Sequence, residues 1–301
     1  MNEHSHLKNL VNLGFIVDED IKDKIENLNE EEFYKLIEKL KNDNVFIVND
    51  SNLKSFTSED IKILRSFVKK ERYNVQDFTR NLNDRYSLIQ SILIKKLEMP
   101  NMVSIDKIGE GSLSIIGFVK EREEKIDNII VSLEDPTGEI KAIIPKKIGE
   151  KLALDDVVAL SGIVKDKTLN VDKILFPDVP FKPVVYTLGS IRVAFLPEKN
   201  VNTDYIIQKD KIIDNIKNKI IEISNPCIFK INDVIILIAL DFDPLEFLKK
   251  RYINIDNNDF LIEPCPDIVL TNKDINSNYK GISIISKNKI IDLKTREVQR
   301  I

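Results

Sequence analysis

"NIIVSLEDPTGEIKAIIPKK", residues 128–147, reads as two strands joined at a tight turn. Ile129, Val131 and Leu133 share one face, as do Ile140, Ala142 and Ile144, the period of two that a half-buried strand needs. Asp135, Pro136 and Gly138 take the first, second and fourth places that a type I turn favours. The period persists on both sides of this hairpin. "SLSIIGFVKERE" precedes it as a strand, "KKIGEKLAL" follows as a short helix, and "DVVALSGIVKDKT" and "LNVDKILFP" supply two more strands. Five short strands with a helix between the third and fourth predict an OB β-barrel. Gly117 and Gly162 lie mid-strand, where a small barrel bends sharply.

A barrel that grips single strands offers aromatic faces for stacking, each worth about 1–3 kcal/mol. Between residues 103 and 178 the only aromatics are Phe118 and Phe176. One sits in an apolar strand and the other beside Pro177, so both read as structural. The surface alternates Glu and Lys ("KEREEK", "EDPTGEIK") and forms no basic groove. This barrel is suited to packing against protein.

The bulk composition agrees. The chain of 301 residues is 43% hydrophobic and 31% charged, yet its formal net charge is only −4. A pI near 5.5 argues against a free-standing DNA-coating protein, which needs a basic field, and leaves room for a subunit that touches DNA through a local patch. Cys227 and Cys265 are far apart and form no CxxC pair, so neither a disulfide framework nor a zinc cluster is expected. This usage fits a reducing cytoplasm. No apolar run approaches the ~18 residues of a membrane span, and the N-terminus lacks the apolar core of a signal peptide.

Upstream of the barrel the period is helical. In "NEEEFYKLIEKLKND", Asn29 is a candidate N-cap and Glu30, Glu31 and Glu32 favour the first turn. Phe33, Leu36, Ile37 and Leu40 then share a face. "TSED" at 57–60 reads as a capping box for a helix over "IKILRSFVKKERY". Val75, Phe78, Leu82, Tyr86, Ile89, Leu93 and Leu97 form the stripe of an amphipathic helix. Downstream, "VIILIAL" is strand length, Asp243 and Pro244 start a helix over "PLEFLKKRY", and "ISIISKNKIIDL" reads as a final hairpin that caps a sheet. "GEGS" at 109–112 lacks the Lys-Ser/Thr of a phosphate loop and reads as a loop. Cys265 has no histidine to activate it as a nucleophile.

The run from "SIIGFVKEREEK" through "LEDPTGEIK" to "ILFPDVP" resembles the OB domain of the small subunit of archaeal family-D replicative DNA polymerase. "LKNLVNLGFIVDEDI" resembles that family's small N-terminal helical domain, and "LEFLKKRYINIDNNDFLIEPCPDIV" onward resembles its last part. The resemblance implies a calcineurin-like phosphodiesterase domain after the barrel, with two metal ions and 3′–5′ exonuclease activity. Such a site clamps an attacking hydroxide and a phosphate between cations about 3.5–4 Å apart. It implies ligand stations at which this chain carries other residues: Glu198 and Asn200 for the early Asp-x-His, and Asn272, Lys273 and Ile275 for the late Gly-His-x-His. The middle stations have no counterpart. Independently, the only histidines are His4 and His6, so no imidazole-rich dinuclear site can be assembled beyond residue 6. An all-carboxylate Mg²⁺ or Mn²⁺ site stays open, with Asp241 and Asp243 of "LDFD" as its nearest residues, though a strand-to-helix turn also accounts for them.

These readings predict a multidomain α+β chain. It comprises a helical N-terminal domain over 1–50, a linker and amphipathic helix over 51–102, an OB barrel over 103–180, and a truncated, inactive α/β metallophosphoesterase-like domain over 181–301. The expected function is a non-catalytic scaffold subunit of a replicative DNA polymerase. Its partners would be the large catalytic subunit and DNA within the complex, with no cofactor, no metal and no membrane. The alternatives are an active 3′–5′ exonuclease subunit with an atypical metal site and a stand-alone single-stranded DNA-binding protein. Lys249, Lys250 and Arg251 of "FLKKRY" are candidate DNA or partner contacts; the competing reading is a solvated helix end.

Overall fold

The computed structural model describes residues 5–28, 30–42, 45–50, 52–53, 61–69, 74–96, 99, 101–187, 190–256 and 258–301. The cap at Asn29, the box at 57–60 and Leu97 lie outside them. Helices α1 (His6–Asn12), α2 (Lys22–Glu26) and α3 (Glu30–Asn42) surround a core of Leu10, Ile21, Ile25, Phe33, Leu36 and Leu40. The α3 face read from spacing is the buried one. A parallel strand pair was not foreseen: β1 (Ile16–Val17) with β2 (Ile47–Val48). Two-residue strands carry no readable period.

Strand β3 (Lys62–Ser66) replaces the helix expected over "IKILRSFVKKERY". Helix α4 (Val75–Lys95) then begins at Asn74, whose side chain accepts from the Asp77 amide at 2.7 Å. Tyr86, Ile89 and Leu93 of the expected stripe are buried, but Val75 and Phe78 are 82% and 45% exposed. The first turns of α4 extend past the core that the rest of the helix serves.

Strands β4 (Gly111–Glu124), β5 (Asn128–Asp135), β6 (Gly138–Pro145), β7 (Val157–Lys165) and β8 (Thr168–Leu175) close a barrel in the order β4-β5-β6-β8-β7. Helix α5 (Lys146–Gly149) stands between β6 and β7, between the third and fourth strands as expected. The predicted turn is held by its aspartate. Asp135 Oδ1 accepts from the amides of Thr137 at 2.7 Å and Gly138 at 3.0 Å. Its Oδ2 accepts from the Ile105 amide at 2.9 Å, tying the barrel entry to the turn. Buried apolar side chains fill the interior, among them Ile115, Ile129, Leu133, Ile144, Leu160 and Leu169.

The rest of the chain is a sandwich of two six-stranded sheets. One contains β9 (Arg192–Phe195), β10 (Tyr205–Ile207), β11 (Lys211–Asp214), β12 (Lys219–Glu222), β20 (Lys289–Asp292) and β21 (Val298–Arg300), in the order β12-β11-β10-β9-β20-β21. The other contains β13 (Cys227–Ile231), β14 (Val234–Ile238), β17 (Ile268–Thr271), β18 (Ser277–Tyr279) and β19 (Ile282–Ser286), with β3 at its edge beside β13. Phe195, Tyr205, Phe229, Ile236, Leu270 and Ile285 meet between the sheets. Helix α6 (Pro244–Lys250) and the hairpin of β15 (Tyr252–Ile255) and β16 (Asn258–Leu261) cover the outer face of the second sheet through Phe247, Leu248, Ile253 and Phe260. As expected, Asp243 and Pro244 start α6: Asp243 Oδ1 accepts from the amides of Leu245 and Glu246 at 2.9 and 3.0 Å.

The final hairpin is corrected. β19 pairs with β17 and β18, whereas β20 pairs with β9 and β21, so the chain crosses from one sheet to the other at Lys287–Asn288. Ile285 and Ile291 reach the same core from opposite sides, and burying both apolar strands requires this crossing.

Candidate functional site

Two regions hold side chains that sequence reasoning singled out, and a third lies where helix, barrel and sandwich meet. At the ends of the sandwich strands lie the residues for which the resemblance implied ligand stations. Glu198 and Asn288 bond reciprocally: the Asn288 side-chain amide donates to Glu198 Oε1 at 2.6 Å, and the Glu198 backbone amide donates to Asn288 Oδ1 at 3.0 Å. Asn272 donates to Asp241 Oδ1 at 2.7 Å. The Lys273 amide is held by Thr271 Oγ1 at 3.2 Å, and Ile275 packs into the cluster beneath α6. Asn200 is exposed on the loop after β9. Glu198 and Asn272 are thus each engaged by a neighbouring side chain, and among the described residues no group of three His, Cys, Asp or Glu could hold a metal ion. His6 stacks on Phe33 with ring centroids 4.2 Å apart, far in the chain from these loops.

The basic run divides. Lys249 lies 5.8 Å from the Tyr279 ring centroid. Lys250 pairs with Asp156 at 3.2 Å, across from sandwich to barrel, and with Glu246 at 3.0 Å. Arg251 is 3% exposed and adopts a left-handed conformation (φ 65°) that closes α6. Its Nε and Nη2 donate to Ile262 O at 3.2 and 2.9 Å, and Nη2 reaches Glu263 at 2.7 Å. Arg251 is therefore enclosed by the chain's own groups, whereas Lys249 and Lys250 stay partly exposed in the last turn of α6. Of these partners Glu246 is one turn back on α6, Ile262 and Glu263 lie across the β15–β16 hairpin, and Asp156 is on the barrel.

The third region was not singled out from sequence. Arg85 of α4 is 2% exposed and lies between two rings, 5.1 Å from the Phe118 centroid on the barrel and 4.5 Å from Tyr252 on the sandwich. Its Nη1 meets Asp259 Oδ1 on β16 at 3.2 Å, and Asn254 donates to the same oxygen at 2.8 Å. Tyr86 donates to Ile116 O at 3.2 Å, and its burial pushes the phenol up to about 12. Helix, barrel and sandwich thus share one joint. The "FPDVP" segment ties a second point: Asp178 accepts from Tyr279 and Lys280 at 2.8 and 2.7 Å, while Val179 is fully buried beneath α6. Phe118 packs against Tyr86 in the joint and Phe176 against the barrel core, each half-buried.

Burial raises the carboxyls of Asp156 and Asp259 above their ordinary value, against the opposing pull of Lys250 and Arg85. A carboxyl raised on folding stabilises below its unfolded pKa, and that contribution is lost as pH climbs through the folded value. Asp156→Asn should therefore flatten the decline of stability that begins near pH 4. Urea midpoints of parent and variant measured across this range check it; parallel pH slopes would refute the assignment.

No family model matches the chain. Six curated archaeal proteins do match in sequence. All of them are DNA polymerase II small subunits. The Archaeoglobus fulgidus small subunit is 25% identical over 155 residues, which is 50% of this chain and 32% of that protein. The Pyrococcus abyssi small subunit is 30% identical over 129 residues, 40% of this chain and 21% of that protein. The chain thus spans about a third or less of the length of the small subunits it resembles. Among solved structures, OBody AM1L10 bound to hen egg-white lysozyme aligns with 24% of this chain and 89% of its own, at 18% identity and a TM-score of 0.23. No helix among the described residues is long and apolar enough to cross a membrane.

Proposed function

We propose that the chain is a non-catalytic accessory subunit of a family-D-like replicative DNA polymerase, which binds and stabilises the large catalytic subunit. In this reading the first segment is a helical docking domain, the barrel an OB fold, and the sandwich a reduced descendant of a calcineurin-like phosphodiesterase. The observation that carries it is the agreement of all six curated matches on the polymerase small subunit. The side chains at the ligand stations support the non-catalytic part, because Glu198 and Asn272 are engaged with Asn288 and Asp241. The engagement of Phe118 and Phe176 weighs against an independent single-strand binder.

Co-expression with the large polymerase subunit of the same genome tests this. The two chains should elute together in size-exclusion chromatography, and the complex should outlast the isolated chain on heating. Incubated with Mn²⁺ and DNA labelled at its 3′ end, the isolated chain should release no nucleotide. Separate elution would overturn the accessory role, and sustained release would favour the exonuclease.

A further inference from the structure

The two outer faces of the sandwich are treated differently. The face of the β13–β14–β17 sheet is covered by α6 and the β15–β16 hairpin. On the opposite face, a single apolar row crosses five strands in register: Ile220 on β12, Ile213 on β11, Ile206 on β10, Ala194 on β9 and Ile290 on β20. Ala194 at the centre of the row is buried, while Ile206, Ile213 and Ile290 are half-buried and Ile220 is 64% exposed. None of the four isoleucines belongs to a buried cluster among the described residues.

The rows on either side of this stripe are charged. Lys211 and Glu222 are register partners on one side, and Arg192 and Asp292 on the other. A sheet face built to pack against another sheet is apolar in several successive rows. Here a second copy laid on this face would bury both charged margins. The stripe also covers on the order of 200 Å², far below the roughly 800 Å² per partner of a stable standalone interface. Those two facts argue against a second copy. They fit an element with one apolar stripe between polar flanks, brought there by a partner already held elsewhere. Four inter-strand steps make the row roughly 19 Å long, the length of about 13 helical residues.

We infer that this face seats an amphipathic helix of the large polymerase subunit, laid across β12 to β20 with its apolar stripe on the isoleucine row. The inference rests on the accessory-subunit reading. It would complete the burial of the four isoleucines, which the chain's own side chains leave half-buried or exposed.

The test uses the full chain and the large subunit. In a Cys265→Ser background, Ile220→Cys places a thiol on the stripe, leaving Cys227 buried in the core. Its reaction with a maleimide should slow at least tenfold when the large subunit is bound. Separately, Ile213→Lys should weaken the complex at least tenfold while leaving the unfolding midpoint of the isolated chain within error. An intact complex with unchanged labelling and unchanged affinity would overturn the helix site and leave the accessory role standing. If the unsubstituted chains form no complex, both fall together. If Ile213→Lys lowers the chain's own midpoint, the labelling rate decides.

Discussion

Arg85→Ala is expected to cost about 3–5 kcal/mol, because it strands a buried carboxylate. Asp259 would keep its place on β16 with only the Asn254 amide beside it. The variant would also empty the space between the Phe118 and Tyr252 rings, where the guanidinium now lies. A domain-sized fold is stable by only about 5–15 kcal/mol, so the urea midpoint should fall steeply and protease cleavage around α4 should accelerate. The pair itself is a different matter. Burial raises the Asp259 carboxyl despite the neighbouring cation, and buried ion pairs are often matched by well-packed apolar replacements. Arg85→Met combined with Asp259→Leu should recover most of the loss. A single Arg85→Ala variant within about 1 kcal/mol of the parent would show that the joint is held by packing alone.

Gly162→Ala is the second large effect. A Cβ at this position would lie 2.0 Å from the Asn170 carbonyl oxygen and 2.8 Å from its carbon. The obstacle is backbone on the neighbouring strand, at the point where the β7–β8 register shifts between Ser161 and Gly162. No rotamer change relieves it, so one strand must move and barrel closure suffers. We expect a loss of about 3 kcal/mol or more, read from thermal unfolding by circular dichroism. Gly117 provides the comparison. There the added carbon meets Glu134 O at 2.9 Å and the movable side chain of Leu133 at 3.1 Å. Gly117→Ala should cost about 1–2 kcal/mol. Equal effects at the two glycines would contradict the close-approach argument.

The barrel was legible because its information is local. Alternation at Ile129, Val131 and Leu133, and the turn chemistry of Asp135 and Gly138, concern residues a few positions apart. The start of α6 at Asp243 was readable for the same reason. What failed was decided elsewhere in the chain. Ile61, Leu64 and Phe67 fit a helical spacing as well as a strand, and the choice is made by β13, which pairs with β3. "ISIISKNKIIDL" has the local form of a hairpin, yet the core between the sheets draws its halves apart. Arg251 and Lys250 read as solvated because their acceptors, Ile262 O and Asp156, are not neighbours in sequence. Arg85 gave a faint signal, a cation directly beside the apolar stripe of α4 at Tyr86, which alone does not separate a snorkelling arginine from a buried one.

The position of β3 has a consequence for how the chain matures. Ser66 and Cys227, which face each other across the β3–β13 ladder, are 161 positions apart, with the whole barrel spliced between them. During translation β3 emerges long before its mate, while the barrel, whose strands all fall within 111–175, has everything it needs to close first. The early strand then sits as a reserved berth until β13 arrives to dock. Its pairing shields what would otherwise be a bare sheet border prone to self-association. A nascent polypeptide interrupted anywhere before residue 227 leaves that berth unfilled, which marks it as unfinished to any chaperone that reads unpaired strands.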